Sequence, residues 1–293
     1  MRYGFEHLFK GIRRPRRGLV ELKAIAMNRL FGGNFGNYVM EQDWDNLIIL
    51  DACRYDLFKQ VNPLEGQLHR FHSRGSHTGE FVQQNFHDGS FLDTVYVSSN
   101  PNPAEEANAE FASVEEVWES GWDESLHTVP PENMVDRTID AEEKFPNKRL
   151  ISHFLQPHYP WIGPDGREFM SEHGYTPQNR EDHIWVQLRK GELDTERVWN
   201  VYEENLRVTF PYVQELADSL DGKTVVTSDH GNAFGEWGVY GHPPNGYISS
   251  LVQVPWLEIP YDERKNITSA RTGERFTDEG PSKERLRDLG YVE

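Results

Sequence analysis

Cysteine, lysine and long apolar runs are the scarce features of this chain. Cys53 is its only cysteine, so no disulfide can close within it. That residue sits in ILDACRYD, where an apolar run turns polar, and reads as a small buried side chain rather than a nucleophile. No stretch approaches the roughly 18 apolar residues of a membrane span. The opening MRYGFEHLFKGIRRPRRG has bases but no apolar core behind them, so no secretory leader is visible and the cytoplasm is the expected location. Most of the bases are arginine, and 48 acids stand against 30 bases for a net charge of -18. Such a surface repels nucleic acid, which excludes that class of partner. Excess acid with little lysine also suits high salt, where screening tolerates self-repulsion.

What is present is enough for a folded enzyme. The chain has 293 residues, 12% of them aromatic, which allows one large α/β domain or two small ones with a real core. The run DNLIILDA reads as a central parallel strand that ends in an acid. Strands are also expected in DTVYVSSNP, RLISHFLQPHYPW, GKTVVTSDHG and SLVQVPWLEIP, with LHRFHSRGSHT a loop or short strand. Helices are expected after Cys53, in GEFVQQNF, and in the long stretch ERVWNVYEENLRVTFPYVQELADSL, with Pro211 as a kink or break. Residues 101–127 read as helix and loop, and residues 162–183 as a polar insertion. Alternating strands and helices predict an α/β fold with a central, mostly parallel sheet and helices on both faces.

Three segments are expected: a basic N-terminal helical segment over 1–40, a catalytic domain over 41–262 and a charged tail over 263–293. In the first, LVELKAIAMNRLFGG reads as an amphipathic helix from Leu19 to about Leu30, stopped by Gly32 and Gly33. Beside the basic run KGIRRPRRG it suits peripheral contact with an anionic membrane through residues 10–30. The alternative is that the helix packs on the domain and its arginines neutralise an acidic face.

In sheets of this class ligands sit at the carboxyl ends of the strands. Asp51 ends the first strand, where a buried carboxylate must be paired or bound to a metal, unless it caps the next helix. TSDHGNAFGEWGVYGHP places Asp229, His230 and His242 after another strand. Mixed oxygen and nitrogen donors suit Zn or Mn, with Ca or Mg as alternatives. HSRGSHTGEF offers hydroxyls at Ser73, Ser76 and Thr78 just before a helix, whose N-terminus favours an anion. Helix capping uses the same residue types. Arg74 and His77 either hold phosphate oxygens or lie on the surface. HFLQPHYPW supplies His153 and His158, and His158, between two prolines, is placed to meet a substrate oxyanion.

These pieces, in this order over residues 45–258, resemble the alkaline phosphatase superfamily and its sulfatase-like branch, in a haloarchaeal-type form. The resemblance implies an alkaline-phosphatase-like fold and a hydroxyl nucleophile that attacks a phosphate or sulfate ester through a covalent intermediate. It makes Asp51, Thr78, Asp229 and His230 metal ligands, with His242 a second-metal ligand or a substrate contact. Thr78 is then the nucleophile, with Ser76 the alternative. His158, Arg74 and His242 face the substrate. SRGSHTGEF lacks the Cys-x-Pro-x-Arg or Ser-x-Pro-x-Arg of formylglycine sulfatases, and Asp51 is followed by Ala52 rather than a second acid. One metal is expected rather than two. The function expected is a metal-dependent hydrolase or transferase acting on an anionic ester of a glycan or lipid head group. The alternatives are a sulfate-ester hydrolase proper and a non-catalytic binding protein that keeps the fold.

Overall fold

The computed structural model describes residues 15–101, 106–173 and 184–269. NLIILD forms strand β1 (Asn46–Asp51), and all six of its residues are buried. A strand covered on both faces needs apolar side chains on both, which is why the segment reads as an unbroken apolar run. Leu47 and Ile49 join one apolar cluster, Ile48 and Leu50 the other, as alternation along a strand requires.

Before β1 lies helix α1 (Pro15–Phe31), which ends at Gly32 with φ of 70°, in agreement with the expected glycine stop. After it come α2 (Tyr55–Val61), β2 (Gln67–His72), α3 (Thr78–Phe86), β3 (Ser90–Ser98), β4 (Glu110–Glu116) and α4 (Val117–Ser120). Then follow α5 (Pro131–Lys144), β5 (Arg149–Pro157), α6 (Pro164–Glu172), α7 (Ile184–Lys190), α8 (Thr195–Ser219) and β6 (Thr224–Ser228). A small hairpin of β7 (Ala233–Phe234) and β8 (Tyr240–Gly241), then α9 (Ser249–Val252) and β9 (Gln253–Glu258), complete the described chain.

The main sheet has the order β2-β9-β6-β1-β5-β3-β4. Strand β9 is antiparallel to both of its neighbours, and every other pair is parallel. Helices cover both faces. On one side α3 lays Phe81, Val82 and Phe86 over Leu47, Ile49, Ile151 and Val225. On the other, α5 and α8 pack Met134, Val135, Val213 and Leu216 with Ile48, Leu50, Leu150 and Val226. The α/β class with a mostly parallel sheet is therefore the observed one.

Three local expectations differ. Residues 110–116 form an edge strand, β4, not helix or loop. Only Phe111 in it is buried and the rest are half-buried, so EFASVEE shows no alternation, and its three acids suit a strand edge that must not recruit another. Pro211 does not break α8, which runs on through it. It and Arg207, whose carbonyl it leaves unbonded, both lie on the exposed side, where water can take that carbonyl. Part of the expected insertion is helical as α6. The basic run as far as residue 14, residues 174–183 of the insertion and the tail from residue 270 lie outside the described residues.

Candidate metal and nucleophile site

The alternation that builds the core also builds the site. Counting by twos, Leu47 and Ile49 lead to Asp51, Val225 and Thr227 to Asp229, and Ile151 to His153. All three polar side chains thus lie on the α3 side, at or near the carboxyl ends of β1, β6 and β5. Ile49 is in register with both Thr227 and His153, so His153 lies one layer below the two acids.

Thr78 opens α3 directly over them. Its Oγ1 donates to Asp229 Oδ2 at 2.8 Å and lies 3.3 Å from His230 Nε2. His230 Nε2 is 3.5 Å from Asp51 Oδ1 and 3.4 Å from Asp229 Oδ2. Four ligands at about 2.0–2.1 Å around a tetrahedral ion stand roughly 3.3–3.4 Å apart, so this spacing matches a coordination sphere.

The proton positions point the same way. His230 Nδ1 lies 2.9 Å from the Gly231 carbonyl, which can only accept, so Nδ1 carries the hydrogen and Nε2 turns a lone pair inward. Burial holds the ring neutral, with its pKa brought down to about 3, and pushes the Asp229 carboxyl up. Asp51, Asp229 and His230 are all fully buried. Two carboxylate oxygens, a ring lone pair and a hydroxyl converge, a mixed oxygen and nitrogen donor set that suits a cation. These residues fit a divalent metal.

Asp229 Oδ1 is held by the backbone N–H groups of Ala52 at 3.0 Å and His230 at 2.7 Å. Asn100 donates to Asp51 Oδ2 at 3.3 Å. Gly231 is required by space rather than by its torsions. A Cβ there would stand 2.2 Å from the Ser250 carbonyl oxygen. Gly241, with φ of 68°, does turn the chain, and it delivers His242 back to the site. The His242 ring stacks 4.7 Å from that of His230, and its Nε2 meets His158 Nε2 at 2.9 Å. His158 Nδ1 donates to the Tyr159 carbonyl at 2.5 Å, so its Nε2 accepts and His242 supplies the hydrogen between them.

Not every expected residue joins this cluster. Ser76 Oγ bonds Glu80 Oε2 at 2.7 Å, the Pro243 carbonyl at 3.0 Å and Gly246 N–H at 3.0 Å. It latches the start of α3 to the loop after His242. Arg74 spends its guanidinium on Gln84, on the Gly36 carbonyl and on the Tyr38 ring 4.0 Å away. His77 caps α3, accepting from Gly79 N–H at 3.0 Å. Cys53 is buried, and burial pushes its thiol up, as suits an inert core residue.

His153 is the group to which the sequence reading assigned no role. Its Nδ1 pairs with the Tyr96 hydroxyl at 2.8 Å, and its buried Nε2 makes no hydrogen bond while lying 3.8 Å from Asp229 Oδ2. Asp51, His153 and Asp229 each offer a donor atom within 4.8 Å of the others. The set with His230 and Thr78 is the tighter one, and His153 underlies it. The clue in the sequence was its place two residues after Ile151, in the row that faces α3.

In metal-stripped protein the two buried histidines make stability depend on pH. His153, brought down to about 4 by burial, and His230 stay neutral where the unfolded chain protonates at its ordinary 6.5. Their contribution is whole above that value and is lost as pH falls toward the folded values. Each is expected to cost about 1 kcal/mol by pH 5.5, partly offset by the raised Asp229 carboxyl, which acts in the opposite direction. Thermal melts in chelator across this range test it, and a flat profile would mean that a ring is charged in the fold.

No protein-family model matches this chain. No curated protein matches it in sequence. Solved structures do. The integral membrane protein lipooligosaccharide phosphoethanolamine transferase A from Neisseria meningitidis superposes with a TM-score of 0.51 at 14% identity, over 76% of this chain and 49% of that one. The C-terminal periplasmic domain of EptC from Escherichia coli, in complex with Zn, gives 0.49 at 12% identity over 78% and 76%. A 2-O GAG sulfatase, BT1596, gives 0.44 at 7% identity over 81% and 66%. This chain therefore spans about half the length of the meningococcal transferase. The cytoplasmic expectation is overturned by the likeness to the meningococcal transferase, an integral membrane protein. It rested on the lack of a visible leader, which describes one segment and is no address. In fold, the chain is similar to the meningococcal phosphoethanolamine transferase.

Proposed function

We propose that this chain is a metal-dependent enzyme that cleaves or transfers a phosphate or sulfate ester, with Thr78 as nucleophile and 41–262 as its catalytic unit. The observation that carries this is the convergence of Asp51, Asp229, His230 and Thr78, in which Asp229 and His230 meet the Thr78 hydroxyl and Asp51 meets His230. A binding module has no need of a buried donor set aimed at a hydroxyl. The four residues would hold the ion, Mn or Zn by their mixed donors, and the ion would supply charge for the ester oxygens and lower the pKa of the hydroxyl.

The residues set out the rest. Thr78 Oγ1 already points its proton at Asp229 Oδ2, and it stands at the N-terminus of α3, which favours the oxyanion. Oγ1 passes its proton to Asp229 Oδ2 and forms a bond to phosphorus or sulfur as the bond to the leaving alkoxide breaks. The alkoxide takes a proton from water at the rim, where His242 and His158 hold each other in place. Water or an acceptor alcohol then attacks the esterified Thr78 and gives up its own proton to solvent, and the proton on Asp229 returns to Oγ1 as its bond to phosphorus or sulfur breaks. His242, half-buried at the rim, is the imidazole that an incoming ester meets. A lipid or glycan head group fits as substrate, in keeping with the lipooligosaccharide transferase named among the neighbours. The acidic, lysine-poor surface supports work at high salt.

The test is turnover of chromogenic phosphate monoester, phosphate diester and sulfate ester in molar KCl, with Mn, Zn, Mg or Ca restored after chelation. Turnover of one ester that returns with metal is the expected result and separates a phosphoesterase from a sulfate-ester hydrolase. Turnover indifferent to chelation would refute the metal. Silence with every ester, in folded and metal-loaded protein, would favour the non-catalytic alternative.

A further inference from the structure

Helix α1 carries two apolar stripes, and the fold uses only one. Val20, Ala24 and Met27 are buried against Ala233, Val239, Tyr247, Ile248, Leu251 and Val252. These partners belong to the segment between His230 and β9, which also bears His242. The second stripe is Leu19, Leu22, Ala26 and Leu30, at spacings of three, four and four, which place them in one row along the helix. Leu19 is 59% exposed, Leu22 60% and Leu30 72%. Arg16 and Arg29, both exposed, border this row on its two sides. Lys23 is committed to the Tyr247 carbonyl at 2.8 Å and Arg17 to Glu21 at 3.4 Å, so they help fasten and balance the helix.

The charge around this row is opposite to that of the whole. Helix α1 holds four bases and one acid in a chain of net charge -18. That contrast selects an occupant that is anionic and apolar at once. A second copy fits poorly. A two-fold pairing would set Arg16 and Arg29 against themselves. Three leucines also offer on the order of 300 Å², short of the roughly 800 Å² per partner of a standard interface. Nor does α1 cross a bilayer, since among the described residues no helix is long and apolar enough to do so.

We infer that α1 lies flat on an anionic lipid surface, with Leu19, Leu22, Ala26 and Leu30 at the boundary between head groups and acyl chains. Arg16 and Arg29 meet the lipid phosphates on either side of the row. Because the opposite stripe of α1 is braced on the segment that carries His242, the docked protein has its candidate site tied to the lipid-facing helix. The docking is independent of the ester reading. Only its use in presenting a head-group substrate rests on that reading.

The experiment is co-sedimentation of the full chain with vesicles of phosphatidylglycerol and phosphatidylcholine, against phosphatidylcholine alone. Binding to the anionic vesicles only is expected. The double variant Leu22→Glu with Leu30→Glu should weaken it at least about tenfold, since each change removes an inserted leucine and adds an acid. Its melting temperature and its melting shift with metal should stay at the wild-type values, which shows that fold and candidate metal site are intact. Arg16→Gln with Arg29→Gln should weaken binding less, and only at low salt. Equal vesicle binding by the leucine variant and wild type would overturn the proposal, as would no binding by wild type. A wild-type dimer in light scattering that the leucine variant abolishes would give the row to a second copy and overturn it too. No ester is turned over in this assay, so its outcome is separate from that of the enzymatic reading.

Discussion

Asp229→Asn is expected to give a folded protein that no longer responds to metal. The wild-type chain, at about 1,000 times the dissociation constant of its ion, should gain about 4 kcal/mol, a rise in Tm of roughly 8 °C for a chain of this size. The variant should show almost none of that shift, with metal affinity down at least about 100-fold and ester turnover down about 10³-fold. The local bonding explains why the fold should survive. Asn keeps an Oδ1 for the Ala52 and His230 N–H groups, 3.0 and 2.7 Å away. Its Nδ2 then faces Thr78 Oγ1 and His230 Nε2, both of which can accept. In chelator the variant should even melt higher than wild type, because one of two buried carboxylates has been neutralised. Rising stability without metal and a vanished shift with it is a signature that a misfolded variant cannot mimic. A full metal shift in Asp229→Asn would place the ion elsewhere.

How much of this was legible in the sequence depends on which forces act locally. β1 and β6 were legible because strands buried on both faces need unbroken apolar runs, and Asp51 and Asp229 stand out where those runs stop. The turn at Gly241 and the end of α1 at Gly32 were legible because a positive φ favours glycine. β4 was not, because an edge strand is defined by its partner β3 and not by its own pattern. Helix α5 was not read either. Its first turn begins at Pro130 and Pro131, a prolyl start that is compatible with a helix but equally with a loop.

Within the candidate site the limit is tertiary. Ser76 and Thr78 are two hydroxyls two residues apart, and capping chemistry cannot rank them. The structure separates them by what each meets: Glu80 and the loop after Pro243 for Ser76, Asp229 and His230 for Thr78. Arg74 looked like an anion ligand because its charge is visible in sequence, whereas its partners Gln84, Gly36 and Tyr38 are not. His153 was hidden for the converse reason. Nothing in HFLQPHYPW shows that its ring lies one layer under two acids from other strands, and only the register of β1 with β5 and β6 does so.

Thr78→Ala removes the proposed nucleophile and should cost about 10³–10⁴ in turnover of whichever ester the chain accepts, leaving what binding and charge alone supply. Its effect on metal should be mild, within about tenfold, since water can take the place of one neutral hydroxyl while both carboxylates and His230 remain. That division, turnover lost and metal kept, is the reverse of what a purely structural role predicts, in which both would fall together with Tm. Thr78→Ser keeps an oxygen in the same place, on a residue that still starts α3, and should retain activity to within about 100-fold. The covalent step adds a check that does not depend on rate. A chain quenched during turnover should carry the transferred phosphoryl or sulfuryl group on the peptide that contains Thr78, and on that residue within it. The same mark on Ser76 would move the nucleophile two residues back, against the bonds that tie Ser76 Oγ to Glu80 and Gly246. Thr78→Ala that turns over at the wild-type rate would refute the nucleophile while leaving the metal cluster intact, and Asp229→Asn would then decide whether the metal acts on water instead.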